Sequence, residues 1–295
     1  MKKFLSDRNF YIYKYIMKDG LIVLYHSASG VYYNLKLVPN EPVDYYIKLS
    51  ESEIHLNKLL GRTIRMKITG EMFCIHCHRK VKKLYNNGYC YPCFVSLAEC
   101  DLCILKPETC HFHQGTCRDE NYALNHCMIP HYVYLSYTDK SKVGLTRAGR
   151  ELARWMEQGA IAGKLLCSVS TRKVAGEIEH LLTEYVADKT NWRKMINTHF
   201  IDEDEFASTY QLLFEKIKIL NVDEIEMVNH SRCYRFFYPM DPLYSQSKLP
   251  VSPASLKENE EFEDTLISLK AHYLIFKNCV INMRRYQGYM INVSY

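Results

Sequence analysis

The chain has no run of about eighteen consecutive apolar residues, so nothing in its 295 residues reads as a membrane-spanning helix. Its start lacks a secretory signal: Lys2 and Lys3 are followed by Asp7 and Arg8, and no apolar segment forms. A cytoplasmic protein is therefore expected. A phosphate loop of the Gly-x-x-x-x-Gly-Lys-Ser/Thr type is missing too. The look-alike Gly159-Ala-Ile-Ala-Gly163-Lys164 is followed by Leu165, which has no hydroxyl for Mg²⁺, so NTP hydrolysis is not expected. No His-x-Glu occurs ahead of a Pro-Cys-x-x-Cys, because Pro92 lies inside its cysteine pair; zinc-deaminase chemistry fails on that count. Net charge is only +5, which permits a nucleic-acid partner without demanding one.

Cysteine is what the chain has in quantity. Eight of its twelve cysteines fall between Cys74 and Cys117. The first four read Cys74-Ile-His-Cys77 and Cys90-Tyr-Pro-Cys93, two pairs separated by twelve residues. Each short turn aims two sulfurs at one point, and four thiolates satisfy Zn²⁺ as a tetrahedron. A disulfide framework would need an oxidising compartment and suits small secreted domains. Next come Cys100-Asp-Leu-Cys103, Cys110-His-Phe-His113, Cys117 and His126-Cys127. Cys100, Cys103, Cys110 and Cys117 are the expected ligands of a second ion, with Cys127, His113 and His126 as rivals for the fourth place. Both sites read as structural, because a catalytic zinc keeps an open position. Each closed site would add on the order of 10 kcal/mol to folding. Four thiolates also suit an iron–sulfur cluster, so iron is the rival metal.

Charge is unevenly spread. Basic residues concentrate between Arg79 and Arg193, while Asp202–Glu205 and the group Glu258, Glu260, Glu261, Glu263 and Asp264 load the last third with acid. A basic middle points to an anionic partner. Arg79, Lys80, Lys82 and Lys83, with Tyr85, Tyr89 and Tyr91, offer cations for phosphates and rings for bases. Arg147 is a further candidate contact. DNA is expected before RNA.

Residues 1–72 read mostly as strands: Tyr11–Tyr13, Leu21–Tyr25, Val31–Tyr33, Asp44–Lys48 and Thr63–Thr69, with a short helix opened by Ser50–Glu53 and closed at Gly61. From His131 the pattern predicts a hairpin, Tyr132–Tyr137 and Lys142–Thr146, then helices over Glu151–Gly159 and Val174–Asp188 and another over 200–218. A proline-bearing connector leads to strands at His272–Phe276, Val280–Met283 and Tyr289–Val293. The two ends look loosely alike, either as a repeat or as two halves of one β unit.

The order of a hairpin, then Arg154 on a first helix, then Glu179 on a later one resembles the GIY-YIG nuclease superfamily. Tyr134 matches the last residue of its first tripeptide. Lys142-Val-Gly144 matches its second, with lysine where tyrosine is commoner. Residues of roughly 40–295 are also similar to a bacterial family of unknown function. The shared strings include Ile75-His-Cys-His-Arg-Lys80, Gly88-Tyr-Cys-Tyr-Pro-Cys-Phe94, Lys142-Val-Gly-Leu-Thr-Arg147 and Asp188-Lys-Thr-Asn-Trp192.

The GIY-YIG resemblance implies a Mg²⁺-dependent endonuclease. Glu179 would hold the ion, with Glu177 as the alternative. Arg154 would take the phosphate oxygens, and Tyr134 or Lys142 would accept a proton from water once its pKa was lowered by the other's proximity. The other reading is a zinc-dependent nucleic-acid-binding protein without catalysis, and a third is a metal-dependent protein-interaction scaffold. The expected architecture is α+β: a β-rich N-terminal unit (1–72), a zinc-ribbon-like Cys-rich module (73–130), a GIY-YIG-like α/β core (131–199), and a helix, connector and C-terminal β-rich region (200–295). Oligomeric state is left open.

Overall fold

The computed structural model describes residues 12–18, 21–186, 190–220 and 224–295. The Tyr11 start of the first expected strand and the Asp188 end of the second expected helix lie outside these residues. The fold is mixed α and β with two sheets and a cysteine cluster.

Strands β1 (Ile12–Lys18), β2 (Leu21–Val38), β3 (Asp44–Leu49), β4 (Glu53–His55), β5 (Thr63–Phe73) and β6 (Lys80–Val81) come first. The expected helix opened by Ser50–Glu53 is absent: Glu53–His55 is a strand, followed by a 3₁₀ turn, Leu56–Leu59. Ile54 is buried and pairs across the sheet with Ile47, so packing decides against local helix signals. The two expected strands around Gly30 form a single long one, and β5 runs on through Gly70.

The cysteine-rich stretch holds helices α1 (Tyr91–Ser96) and α2 (Glu120–His126), joined by four 3₁₀ turns. Then come β7 (His131–Tyr137), β8 (Ser141–Arg147), α3 (Glu151–Gln158), β9 (Ala162–Val169), α4 (Arg172–Leu182), α5 (Trp192–Asn197) and α6 (Glu203–Ile219). The chain continues with β10 (Ile225–Met227), β11 (Tyr234–Arg235), β12 (Pro253–Ala254), β13 (Glu261–Lys270), β14 (Tyr273–Phe276), β15 (Val280–Asn282) and β16 (Tyr289–Ser294).

The larger sheet has the order β12-β15-β14-β13-β5-β16-β2-β3-β4, with β1 on β2 and β6 on β5. The last strand of the chain thus lies between two of the first, antiparallel to both. The two ends of the sequence share one sheet. Ile64, Met66 and Ile68 alternate into its core while their neighbours face outward.

The smaller sheet runs β10-β9-β7-β8, with β11 also on β9. Its central strand β7 is buried on both faces. One face carries Val133, Leu135, Val143 and Leu145 against apolar residues of α4 and α6. The other carries Tyr134, which packs with Trp155 and Met156 of α3 into the core of the larger sheet. Helix α3 is therefore the joint between the sheets. Gly163 makes that joint possible: a β-carbon there would stand 2.4 Å from the Trp155 indole. The phosphate-loop look-alike is accounted for by packing, since Gly159 ends α3 in a left-handed conformation and Gly163 seats the tryptophan.

Among the described residues, no helix is long and apolar enough to cross a membrane.

Candidate functional site

The first two cysteine pairs converge. Cys74, Cys77, Cys90 and Cys93 bring their sulfurs within 4.8 Å of one another and could hold a metal ion such as zinc. The Cys77 and Cys90 sulfurs are 3.7 Å apart, close to the edge of a tetrahedron with Zn–S bonds of about 2.3 Å. The first turn closes when His78 N–H donates to the Cys74 carbonyl at 2.9 Å, with His78 left-handed at φ 59°. The second pair straddles the start of α1, where Cys90 caps the helix and Pro92 sits in its first turn. The Cys77 thiol is drawn down to about 6, chiefly by the backbone N–H of Arg79. Arg79 Nε also donates to the Cys77 sulfur at 3.2 Å. Four sulfurs gathered around one point are the donor set that a structural zinc takes, so the residues present fit zinc.

The second cluster sorts differently from the expected set. Cys103, Cys110, Cys117 and Cys127 line one cavity of about 20 Å³. Cys100 does not line it; its thiol is buried, which pushes its pKa up, and it lies within electrostatic reach of Glu99 and Arg118. Of the rival ligands, His113 is exposed, and His126 stacks on Tyr122 with ring centroids 4.2 Å apart. A mixed group also gathers: ligand atoms of Asp101, Cys103 and His111 lie within 4.8 Å of one another.

The hairpin residues meet on one face of the small sheet. Tyr134 pairs with Gly144 and Ser136 with Lys142, so Tyr134 and Lys142 stand diagonally on adjacent strands. The Tyr134 phenol is fully buried and donates to Gln158 Oε1 at 3.0 Å. Burial pushes its pKa up, and the adjoining Arg154 opposes that only in part. This reverses the expected lowering of the tyrosine. Lys142 is buried, with Nζ 3.4 Å from Thr190 Oγ1.

Glu179 faces this group. Its carboxyl is held up first by burial and pulled down by Arg154, Lys142 and Arg172, while Glu108 acts against them. Glu177, two residues earlier and on another helix face, is exposed and pairs with Lys173 at 3.8 Å. Tyr134, Lys142, Arg154 and Glu179 thus come together, and Glu177 does not join them.

A cleft of about 430 Å³ opens beside the group, where α2, the end of β8, α3 and the start of α4 meet. Five arginines line it: Arg147, Arg150, Arg154, Arg172 and Arg284, against the single carboxylate of Glu157. Arg150 pairs with that carboxylate at 3.1 Å. The other expected cations lie elsewhere. Arg79, Lys80, Lys82 and Lys83 are exposed around the cysteine cage and do not line the cleft; Lys80 pairs with Glu71, and Lys83 lies over the Tyr85 ring at 4.9 Å.

Arg150, Arg172, Arg284 and Glu108 are functional candidates that sequence reasoning missed. Arg172 carried a usable signal, since it stands seven residues before Glu179 and so shares its helix face. Glu108 carried only an indirect one: Gly176 of α4 has Pro107 where a β-carbon would stand, at 2.6 Å, and that close approach brings the 3₁₀ turn Pro107–Thr109 onto the helix. Arg284 reaches the cleft from the turn before β16, and nothing local announces it.

A family model described as Protein of unknown function (DUF2797) matches residues 61–291. No curated protein and no solved structure matches the chain.

Proposed function

The chain belongs to that family of unknown function, DUF2797, and we propose that it is a Mg²⁺-dependent, GIY-YIG-like phosphodiesterase acting on nucleic acid, DNA before RNA. The observation that carries the reading is the double position of Arg154. It lines the five-arginine cleft and at the same time faces Tyr134 and Glu179. A phosphodiester in the cleft would lie against the one group of side chains able to act on it. Guanidinium forks suit phosphate oxygens, and several together give the sequence-independent grip of a backbone binder.

Glu179, with Glu108 as a second carboxylate, is the group that would hold the Mg²⁺; one or two carboxylates are what such a site supplies. When bound, the ion lends Lewis acidity to phosphorus and to the departing oxygen. Arg154 and Arg172 offset the carboxylate charge and orient the phosphate. Lys142 is the better placed proton acceptor, because Tyr134 is pushed up by burial and its hydroxyl proton is directed to Gln158. Zinc in the Cys74–Cys93 cage is structural, and Arg79, Lys82 and Lys83 beside it extend the track for nucleic acid.

The test is cleavage of single-stranded, duplex and branched DNA and RNA with Mg²⁺, comparing wild type with Glu179→Gln. Cutting by wild type and not by the variant supports the reading. A second reading, zinc-dependent binding without catalysis, draws on the full burial of Tyr134. Tight, salt-sensitive binding by both proteins with no cutting by either would put it in first place.

A further inference from the structure

We propose that Cys103, Cys110, Cys117 and Cys127 form a second, four-thiolate zinc site, separate from the Cys74–Cys93 cage and forming one wall of the arginine cleft. The four side chains line a single cavity of about 20 Å³. That is room for about one water-sized occupant, which suits a lone ion.

The backbone is arranged to deliver these thiols. Four successive short elements each present one cysteine. Cys103 lies in the 3₁₀ turn Leu102–Ile104, and Cys110 ends the turn Pro107–Thr109. Cys117 follows the turn Phe112–Gln114, which left-handed Gly115 closes, and Cys127 ends α2. Apolar packing does little to hold these elements together. Leu102, Leu105 and Leu124 are all more than half exposed, so the segment builds little core of its own, and a bound ion would supply the missing cross-link.

The competing group, Asp101 with Cys103 and His111, is engaged otherwise. Arg118 Nε holds the Asp101 carboxylate at 2.7 Å, and a guanidinium at that distance opposes a dication. Asp101 also caps the turn that carries Cys103, and His111 turns its Nε2 toward the Asp101 carboxylate, at 3.8 Å, and does not line the cavity. Asp101 and Arg118 therefore shape the cavity without closing it. The four sulfurs are not drawn together as tightly as those of the first cage, and binding would pull them inward.

The site abuts the cleft. The Arg172 backbone N–H donates to the Cys127 carbonyl, and its guanidinium donates to the Ile104 carbonyl, both at 2.8 Å. Cys127 and Ile104 line the cleft and the cavity alike. A four-thiolate zinc carries net negative charge, and Arg147 and Arg172, both within electrostatic reach of Cys127, would balance it.

The test is the metal content of the full-length protein, with X-ray absorption at the zinc edge. Two zinc ions per chain are expected in wild type, in Cys100→Ser and in His111→Ala, and one in Cys127→Ser, with a shell of sulfur only at about 2.3 Å. One zinc per chain in wild type, two retained in Cys127→Ser, nitrogen or oxygen in the shell, or iron with sulfide would each overturn the proposal. Should Cys127→Ser not fold, Co²⁺ titration of the metal-free wild type decides: thiolate charge-transfer absorption that saturates at two equivalents supports the site, and saturation at one overturns it. Metal content does not depend on cleavage, so either result leaves the nuclease reading to its own test.

Discussion

The Tyr134 ring lies so close over Gly144 that a β-carbon there would stand 2.5 Å from the phenol oxygen and 2.6 Å from Cζ. The two residues are directly paired across β7 and β8. Gly144 is thus required for space. The ring has no retreat, because Trp155 meets it edge-on with centroids 5.6 Å apart. Gly144→Ala is expected to cost about 1–3 kcal/mol, seen as a lower urea midpoint at unchanged slope. A midpoint equal to wild type would mean that the ring is not confined.

The two glutamates of α4 give a sharp contrast. Glu177 is exposed and its pair with Lys173 is long, so Glu177→Gln should change stability by less than about 0.5 kcal/mol and leave cleavage intact. Glu179→Gln should abolish Mg²⁺-dependent cleavage while binding of nucleic acid survives. Equal loss in both variants would show that the helix, and not one carboxylate, is what matters.

Salt dependence should separate the cleft from the cysteine cage. Each phosphate of duplex DNA that a protein no longer neutralises lowers the slope of log affinity against log salt by about 0.9. Arg147→Ala and Arg150→Ala, both in the cleft, are expected to lower it by about that much each. If binding runs only through the knuckle, the drop appears instead in Lys82→Ala and Lys83→Ala, and the cleft variants keep the wild-type slope.

Sequence reading succeeded where chemistry is local. The four cage cysteines are two tight turns, and the hairpin, α3 and α6 follow from alternation and helical spacing. It failed where partners are distant. The acid-rich stretch around Glu261 and Glu263 was not among the expected strands, yet it opens strand β13. Arg65, far off in the sequence, grips Glu263 through two hydrogen bonds of 2.9 and 3.0 Å, and that cross-strand pairing offsets the weak strand preference of glutamate. Strand β9 was hidden by its glycine and by a motif look-alike. The five-arginine cleft draws residues from β8 to the last turn of the chain, and no window of sequence contains it.

Lys270 offers a prediction in pH. It sits in β13 with 2% of its surface exposed, its Nζ donating to the Thr198 carbonyl at 2.5 Å and lying 5.1 Å from the centre of the Tyr238 ring. Burial lowers its pKa from 10.5 to about 7. Between those values the unfolded chain binds a proton that the folded chain does not, so stability rises with pH across that window. Below about pH 7 the cost of burying the ammonium is present in full, on the order of 5 kcal/mol at most. Lys270→Met removes that cost and forfeits one hydrogen bond worth about 1 kcal/mol. The variant should therefore unfold at higher urea than wild type near pH 7, and the two should converge or cross as the pH approaches 10. Parallel curves over the whole range would mean that Lys270 keeps its proton in the fold, held by Thr198 and Tyr238.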